Sequence, residues 1–380
     1  MDSNIRIEKL TLNNFRNHKF LKLDISKNMV LIYGENGSGK TSVLESISLF
    51  DTSHGFKASN LSEIINNDLQ GPLEMFGVNL LLNDSNNLKK IGIGLKKTMD
   101  KFQKIISIEG KKTRGDLIKN TPNIYSVIPK MTFLFQSNSE ERRNFLDKMI
   151  FVIDSNHKKN ILDYEKHKIE RIKILKKWKI QNGEWLDAVE KKMVSYGLII
   201  SDNRRNFLKK LNFMLANIDK EFPLLQIKLK GDLDKLLLEK PAIEVEEIFA
   251  STLKKNREKD LLTGRTNYGA NKTDFNVLEK ESHKDVKLFS TGQQKTILFL
   301  LIFAFIKCLE QAPYNKTIFL LDDVFSYLDN KFVNMVLEKL NELKVQTWMT
   351  DVKGDWIFEN NKYKEIIDRI NIDDKRFKVN

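Results

Sequence analysis

At 380 residues the chain has room for two to three folding units of about 150 residues each, and its 41% hydrophobic and 30% charged residues are the proportions of a globular protein. Its longest apolar run, residues 297–306, falls well short of the roughly 18 residues a membrane-spanning helix needs, and the single Cys308 excludes an internal disulfide and any cysteine-based zinc site. A net charge of +13 favours polyanionic partners, yet only 12 of the 64 basic residues are arginine and asparagine is abundant, a bias that an AT-rich genome produces without selection for phosphate binding.

No apolar leader pattern follows Met1-Asp-Ser-Asn-Ile-Arg, so the expected compartment is the cytoplasm. Residues 5–33 alternate as two strands do: Ile5, Ile7, Leu10, Leu12 and Phe15 precede a polar turn at Arg16-Asn-His18, and Phe20 to Ile25 and Met29 to Tyr33 follow it. The run from Met29 to Tyr33 is apolar throughout and predicts a buried strand. From Thr41 the pattern turns helical, with Val43, Leu44, Ile47 and Phe50 at three- and four-residue steps. Met75 to Leu82, Lys89 to Leu95 and Ile105 to Ile108 then predict a small antiparallel sheet joined by polar turns.

From about Glu140 the chain becomes helical and basic. One predicted helix carries Ile161, Tyr164, Ile169, Ile172 and Leu175 on a single face, and a second keeps an apolar stripe from Trp185 through Val189, Met193, Tyr196, Ile200, Phe207 and Leu211 to Ile218. At ~1.5 Å per residue that second helix spans roughly 50 Å, a stubby lobe with no heptads continuing beyond it. Residues 151–220 hold 16 basic and 9 acidic side chains, which suits either a phosphate-facing surface or a solvated helical face. After Leu225 short elements lead to an all-round apolar helix behind Ser290 and a buried strand at Thr317 to Leu321.

Three strings carry chemistry. Gly34-Glu35-Asn36-Gly37-Ser38-Gly39-Lys40-Thr41 fits G-x-x-x-x-G-K-[ST] between a strand and a helix. In such a loop backbone N–H groups converge on phosphate oxygens, Lys40 neutralises the β and γ phosphates, and the Thr41 hydroxyl serves magnesium. Thr317 to Asp323 is an apolar strand ending in two carboxylates, Asp322 to hold the magnesium shell and Asp323 to orient or deprotonate an attacking water. Acids at a strand end are common, and only the phosphate loop makes this pair specific. Ser290-Thr-Gly-Gln-Gln294 precedes a helix, where its hydroxyl and amides can form an anion site; a simple N-cap by Ser290 or Thr291 satisfies the same residues.

The order and wording of these strings resemble the SMC and ABC-type ATPases, and most closely the RecF family. Further stretches carry the likeness: Leu12-Asn-Asn-Phe-Arg16, Glu141-Arg-Arg-Asn-Phe-Leu-Asp147, Ser290-Thr-Gly-Gln-Gln-Lys295 and Leu320-Leu-Asp-Asp-Val-Phe-Ser326. Tyr164 through Arg171 and Trp185 through Arg204 resemble the family's helical lobe. The resemblance implies an α/β fold: an ABC-type P-loop ATPase head with an antiparallel β subdomain and an inserted helical lobe. Residues 1–140 would form the N-terminal part of the head, 141–262 the lobe, and 263–380 the C-terminal part.

It also implies ATP and Mg2+ as cofactors and an ATP-dependent homodimer. Ser290, Gly292 and Gln293 of one subunit would then meet the γ-phosphate held by Lys40 of the other, with Asp329 in the adjoining loop and Thr350 where transporters carry a switch histidine. The implied partners are duplex and gapped single-stranded DNA, with RecO and RecR, promoting RecA loading; the implied hydrolysis is weak and DNA-dependent, consistent with an aspartate at 323. This sequence departs from the family at Gly269-Ala-Asn-Lys272 and around Pro129 to Gln136, and Gln136 is a weak candidate for the Q-loop glutamine. Lys57, Arg142, Arg143, Arg204 and Arg205 are candidates for DNA contacts, or for surface and packing roles. Two other readings compete, the ATP-binding subunit of a membrane transporter and the head of a chromosome-organising protein. The long insertion between Lys40 and Ser290 counts against the first, and the missing heptads against the second.

Overall fold

The computed structural model describes residues 5–51, 75–84, 87–98, 101–113, 121–178, 183–219, 221–309, 317–325, 330–352, 363 and 365–374. Its contacts divide the chain into two compact units, residues 1–131 with 312–380, and residues 132–311.

The first unit holds two sheets. Strand β1 (Arg6–Phe15) pairs with β2 (His18–Asp24) and, after β3 (Met29–Tyr33) and helix α1 (Lys40–Ser48), with β4 (Met75–Asp84). Strands β5 (Asn87–Thr98), β6 (Lys101–Ile108) and β7 (Lys111–Lys112) extend the antiparallel order to β2-β1-β4-β5-β6-β7. A register shift between Ile7 and Lys9 is the bulge that moves the buried parity of β1 from Ile5 and Ile7 to Leu10 and Leu12. The apolar residues after the turn at Arg16 form two strands in different sheets, the second of them the buried strand that the apolar run from Met29 to Tyr33 predicts. The break falls at Ser26 and Lys27, whose backbone amides donate to the Asp368 carboxylate at 2.7 and 2.8 Å and so leave the ladder.

The second sheet of this unit is parallel. It adds β8 (Asn123–Val127), β11 (Thr317–Leu321), β12 (Gln346–Asp351) and β13 (Ile367–Asn371), in the order β13-β3-β12-β11-β8, with α9 (Asn330–Glu342) crossing between β11 and β12. Every residue of β11 and β12 is buried, as expected of parallel strands covered on both faces. One core joins the inner face of the antiparallel sheet, α1 and this parallel sheet, with Leu12, Val43, Ile47, Val78, Ile318 and Trp348 among its members.

The second unit is mainly helical: α2 (Ser139–Ile153), α3 (Ser155–Trp178) and α4 (Gly183–Ala216), then β9 (Leu225–Lys230), α5 (Asp232–Glu239), α6 (Ala242–Lys255), α7 (Arg257–Thr263), β10 (Asp274–Glu279) and α8 (Thr291–Cys308). The 34 residues of α4 match the expected length of the long helix. Its stripe is buried at Val189, Met193, Ile200, Phe207 and Leu211, while Trp185 in its first turn is half exposed, as is Ile169 of α3.

Arginines lock this unit together. Arg171, fully buried, donates to Glu190, Asp260, Thr266 and the Leu253 carbonyl, and Arg257 joins the cluster through Glu190 and Asp187. Arg204 makes a two-pronged pair with Asp147 at 2.8 Å and donates to the Ala270 carbonyl at 2.7 Å. Burial alone would raise the Asp147 pKa, but Arg204 and His157 outweigh it and hold it at about 2. The stretch Gly269 to Lys272 packs inside the unit: Gly269 has φ +117°, a Cβ there would lie 2.4 Å from the Tyr164 hydroxyl, and that hydroxyl donates to Asn271. Burial pushes the Cys308 thiol up to about 12, which leaves it unreactive. Among the described residues no helix is long and apolar enough to cross a membrane.

Candidate nucleotide site

The order of the parallel sheet decides which residues meet. Strand β3 lies beside β12, and β12 beside β11, so the loop after Tyr33, residue Thr350 and residue Asp322 emerge side by side at the carboxyl ends of three neighbouring strands. Ligands of open parallel sheets bind at this edge.

Gly39 closes the loop and caps α1 in a left-handed conformation, φ +101°. A Cβ there would lie 2.4 Å from His18 Nε2 and 2.6 Å from Asn17 Nδ2, so only glycine lets the β1–β2 turn approach this closely. Asn17 donates to the Gly37 carbonyl at 3.2 Å, and His18 Nε2 lies 3.2 Å from the Gly39 carbonyl. Arg16, one residue earlier, grips the buried Glu45 of α1 with two hydrogen bonds of 2.8 and 2.9 Å. Three consecutive residues therefore clamp the loop and its helix. The sequence shows them only as a polar turn, and nothing local in it points to the loop.

Lys40 Nζ donates to the carbonyls of Gly34 and Glu35, both at 2.7 Å. Its charge is thus centred over the loop by neutral oxygens, with no carboxylate among the described residues to cancel it. The Ser38 hydroxyl is buried without a hydrogen-bond partner among the described residues, an unmet donor in a cradle of amides at a helix N-terminus. Both features fit a phosphate.

The Thr41 hydroxyl points at Asp322, 3.0 Å from one carboxylate oxygen and 3.3 Å from the other. Asp322 is 4% exposed and accepts a second hydroxyl, from Thr350 at 2.9 Å. The Thr350 oxygen in turn accepts the Asp323 amide at 2.8 Å. Asp323 has φ +48°, unusual for a residue with a side chain, and this hydrogen bond pins that turn. A hydroxyl and a carboxylate converging in this way fit Mg2+, which takes one or two protein oxygens and leaves the rest of its shell to phosphates and water.

The Ser290 string lies in the second unit. Ser290 caps α8 in a capping box: its hydroxyl accepts the Gln293 amide at 3.3 Å, and Gln293 Oε1 accepts the Ser290 amide at 3.0 Å. Ser290, Thr291, Gly292 and Gln293 are all exposed, and Gln294 behind them is buried, donating to the carbonyls of Lys287 and Phe289. Gln136 lies 3.5 Å from Gln294 Oε1, so it braces this loop. The cap and an anion-facing helix end therefore coexist.

Asp329 and Lys57 lie outside the described residues. Of the other candidate DNA contacts, Arg142 is paired with Asp274 through two 2.7 Å bonds, Arg143 donates to the Thr273 carbonyl, Arg204 is buried on Asp147, and Arg205 is half-buried on α4.

A parallel sheet with a phosphate loop, an acidic strand end and an antiparallel companion sheet defines the head of an SMC/ABC-type P-loop ATPase. Comparison with known proteins narrows this. The sequence model of the RecF/RecN/SMC N terminal domain matches residues 6–368, and the DNA replication and repair protein RecF of Rickettsia felis is 35% identical over 362 residues, covering 94% of this chain and 96% of its own. The chain belongs to the RecF family. A solved structure of the recombination mediator protein RecF with ATP, from the RecFOR pathway, superposes with a TM-score of 0.78 at 26% identity over 93% of each chain. An Smc head domain from Pyrococcus furiosus shares the fold, with a TM-score of 0.51 at 17% identity over 93% of this chain and 91% of its own.

Proposed function

We propose that this chain is an ATP-operated DNA clamp of recombinational repair and replication restart. The observation that carries this reading is the convergence of Thr41 on Asp322 beside a loop centred on Lys40, in a chain that matches RecF proteins over nearly its whole length. Lys40 and the amides of residues 34–41 bind the ATP phosphates. Thr41 and Asp322 would hold Mg2+, which when bound neutralises phosphate charge. Asp323 orients or deprotonates the attacking water. Thr350 spends its hydroxyl on Asp322 and Asp323, so its part is to position the acidic pair.

Ser290, Gly292 and Gln293 of one subunit meet the γ-phosphate held by Lys40 of a second, with Asp329 in the adjoining loop, and this closes a homodimer. Weak, DNA-dependent hydrolysis reopens it, so ATP acts as a ligand of the closed state alone. In this reading the motifs divide the protein into a head, residues 1–140 and 263–380, and a lobe, 141–262. The clamp holds duplex DNA beside single-strand gaps in the cytoplasm and, with RecO and RecR, promotes RecA loading. No membrane is involved.

The test is the oligomeric state of Asp323→Asn, which keeps the binding groups and weakens hydrolysis. Light scattering with ATP and Mg2+ is expected to show an accumulated dimer. A monomer that nonetheless binds ATP would overturn the clamp.

A further inference from the structure

The outer face of the antiparallel sheet carries a row of residues that the nucleotide site does not use. Strand pairing places Lys22 opposite Thr11, Thr11 opposite Asn79, Asn79 opposite Gly92, Gly92 opposite Ser107, and Ser107 opposite Lys112, one residue from each strand in the order β2-β1-β4-β5-β6-β7. In the first four strands each member sits between buried apolar neighbours: Leu21 and Leu23, Leu10 and Leu12, Val78 and Leu80, Ile91 and Ile93. The row therefore lies on the face turned away from the core. At ~4.8 Å between strands it spans roughly 24 Å.

Its composition suits a phosphate backbone. Lys22 and Lys112 stand exposed at the two ends, and the interior holds only short hydrogen-bonding side chains and a glycine. A Cβ on Gly92 would lie 2.6 Å from both Asn79 Oδ1 and Ser107 Oγ, so glycine is what lets two polar tips converge over the strand. Small hydroxyls and amides of this kind, like lysine, are among the side chains that contact DNA phosphates.

The charge is local. Residues 89–112 contain eight lysines and two acids, about one lysine in three, whereas the whole chain has 52 lysines in 380 residues, about one in seven. An AT-rich genome would raise both figures alike, so compositional bias does not account for the difference. One of the two acids, Glu109, accepts the Lys90 backbone amide at 2.7 Å. Lys22, Lys90, Lys111 and Lys112 form no ion pair among the described residues, whereas Lys9 on the neighbouring row is paired with Asp24 at 3.0 Å.

We infer that this face is a contact surface for the phosphates of duplex DNA, with Lys22, Lys90 and Lys112 as charge contacts and Asn79 and Ser107 as hydrogen-bonding ones. The inference rests on the DNA-clamp reading above and says where on the chain the duplex lies. It predicts that DNA affinity and its salt dependence belong to the sheet.

Duplex binding by fluorescence anisotropy, with ATP and Mg2+ at a series of salt concentrations, tests it. The variant Lys22→Glu/Lys90→Glu/Lys112→Glu is compared with a lobe variant, Lys191→Glu/Lys192→Glu/Lys209→Glu. For the sheet variant we expect at least a 30-fold loss of affinity near 100 mM salt and a log–log salt slope shallower by about 2 to 3, at ~0.9 per phosphate contact. The lobe variant should keep the parent slope. A sheet variant that binds like the parent, or a lobe variant that loses the slope instead, overturns the placement while leaving the clamp intact. A parent protein that binds no duplex with ATP overturns the clamp itself. Lys→Gln at the same three positions, checked for unchanged melting and ATP-analogue binding, gives the same answer if the Glu variant folds poorly: a roughly tenfold loss supports the placement, and parent-like binding refutes it.

Discussion

Two regions of this molecule have a similar basic excess and use it in opposite ways. The helical unit builds its stability on arginine: Arg142, Arg171, Arg204 and Arg257 each meet carboxylates, and Arg171 and Arg204 are almost wholly buried. The antiparallel sheet carries lysines, and four of those described stay out of any ion pair among the described residues. The chemistry follows the side chain. A planar guanidinium matches a carboxylate with two parallel bonds and is weakly hydrated, so it tolerates burial, while an ammonium keeps its water and remains available to a phosphate. Counting charge along a chain therefore does not locate a polyanion surface; counting charge that is left over comes closer.

Five experiments would break or sharpen this contrast, beginning with the largest effect. Lys40, like Lys22, Lys90, Lys111 and Lys112, has no carboxylate partner among the described residues, so Lys40→Ala should abolish binding of a fluorescent ATP analogue. The melting temperature should stay within about 2 °C of the parent's, because Lys40 is only half-buried and its bonds go to carbonyls of its own loop. Arg204→Ala should behave in the reverse way, costing about 3–5 kcal/mol by stranding Asp147 in the interior, measured by urea unfolding. A loss below about 1 kcal/mol there would dissolve the distinction between locked and available cations.

The same pair sets a pH dependence. Asp147 is held at about 2 against an ordinary 3.8, so its folded pKa is depressed. Its contribution is complete above about pH 4 and disappears as pH falls through about 2, and the shift corresponds to about 2 kcal/mol. Unfolding titrations between pH 5 and 2 should show this acid limb in the parent and lack it in Asp147→Asn.

Thr350→Val, on the nucleotide side, should slow ATP hydrolysis by about 10²-fold while leaving ATP-analogue affinity within a factor of three, and Thr350→Ser should restore the rate. Equal losses of binding and hydrolysis would make Thr350 a nucleotide contact instead. The lobe substitutions Lys191→Glu and Lys192→Glu should do least, changing stability by no more than about 0.5 kcal/mol.

How much of this could be read from the sequence depended on distance along the chain. The phosphate loop, the acidic strand end and the Ser290 helix start are contiguous strings with their own local physics, and the strands and helix starts that carry them were legible. The α4 stripe was legible for the same reason, since its period repeats within one helix; Trp185 and Ile169 fell outside the packed region, which periodicity alone does not reveal. Thr350 could be placed as a family position, but its bond to the Asp323 amide depends on β11 and β12 lying side by side. The clamp by Arg16, Asn17 and His18 was hidden because a polar turn looks alike whether it meets solvent or a phosphate loop. The lysine row was hidden twice over: its ends are 90 residues apart, and the bulge in β1 shifts the parity that would have linked Thr11 to it.

The parallel sheet has a consequence for how the protein is made. Strand β3, which leads into the phosphate loop, has both of its sheet neighbours, β12 and β13, in the last tenth of the chain. At ~5–20 residues per second a ribosome needs roughly 15 to 60 s to travel from Tyr33 to Gln346. Throughout that interval Met29, Val30, Leu31 and Ile32 wait with both ladder edges open. The nascent chain must be shielded or parked elsewhere until β12 emerges, and a chain that stopped short of Gln346 would leave the strand before the phosphate loop without either of its neighbours.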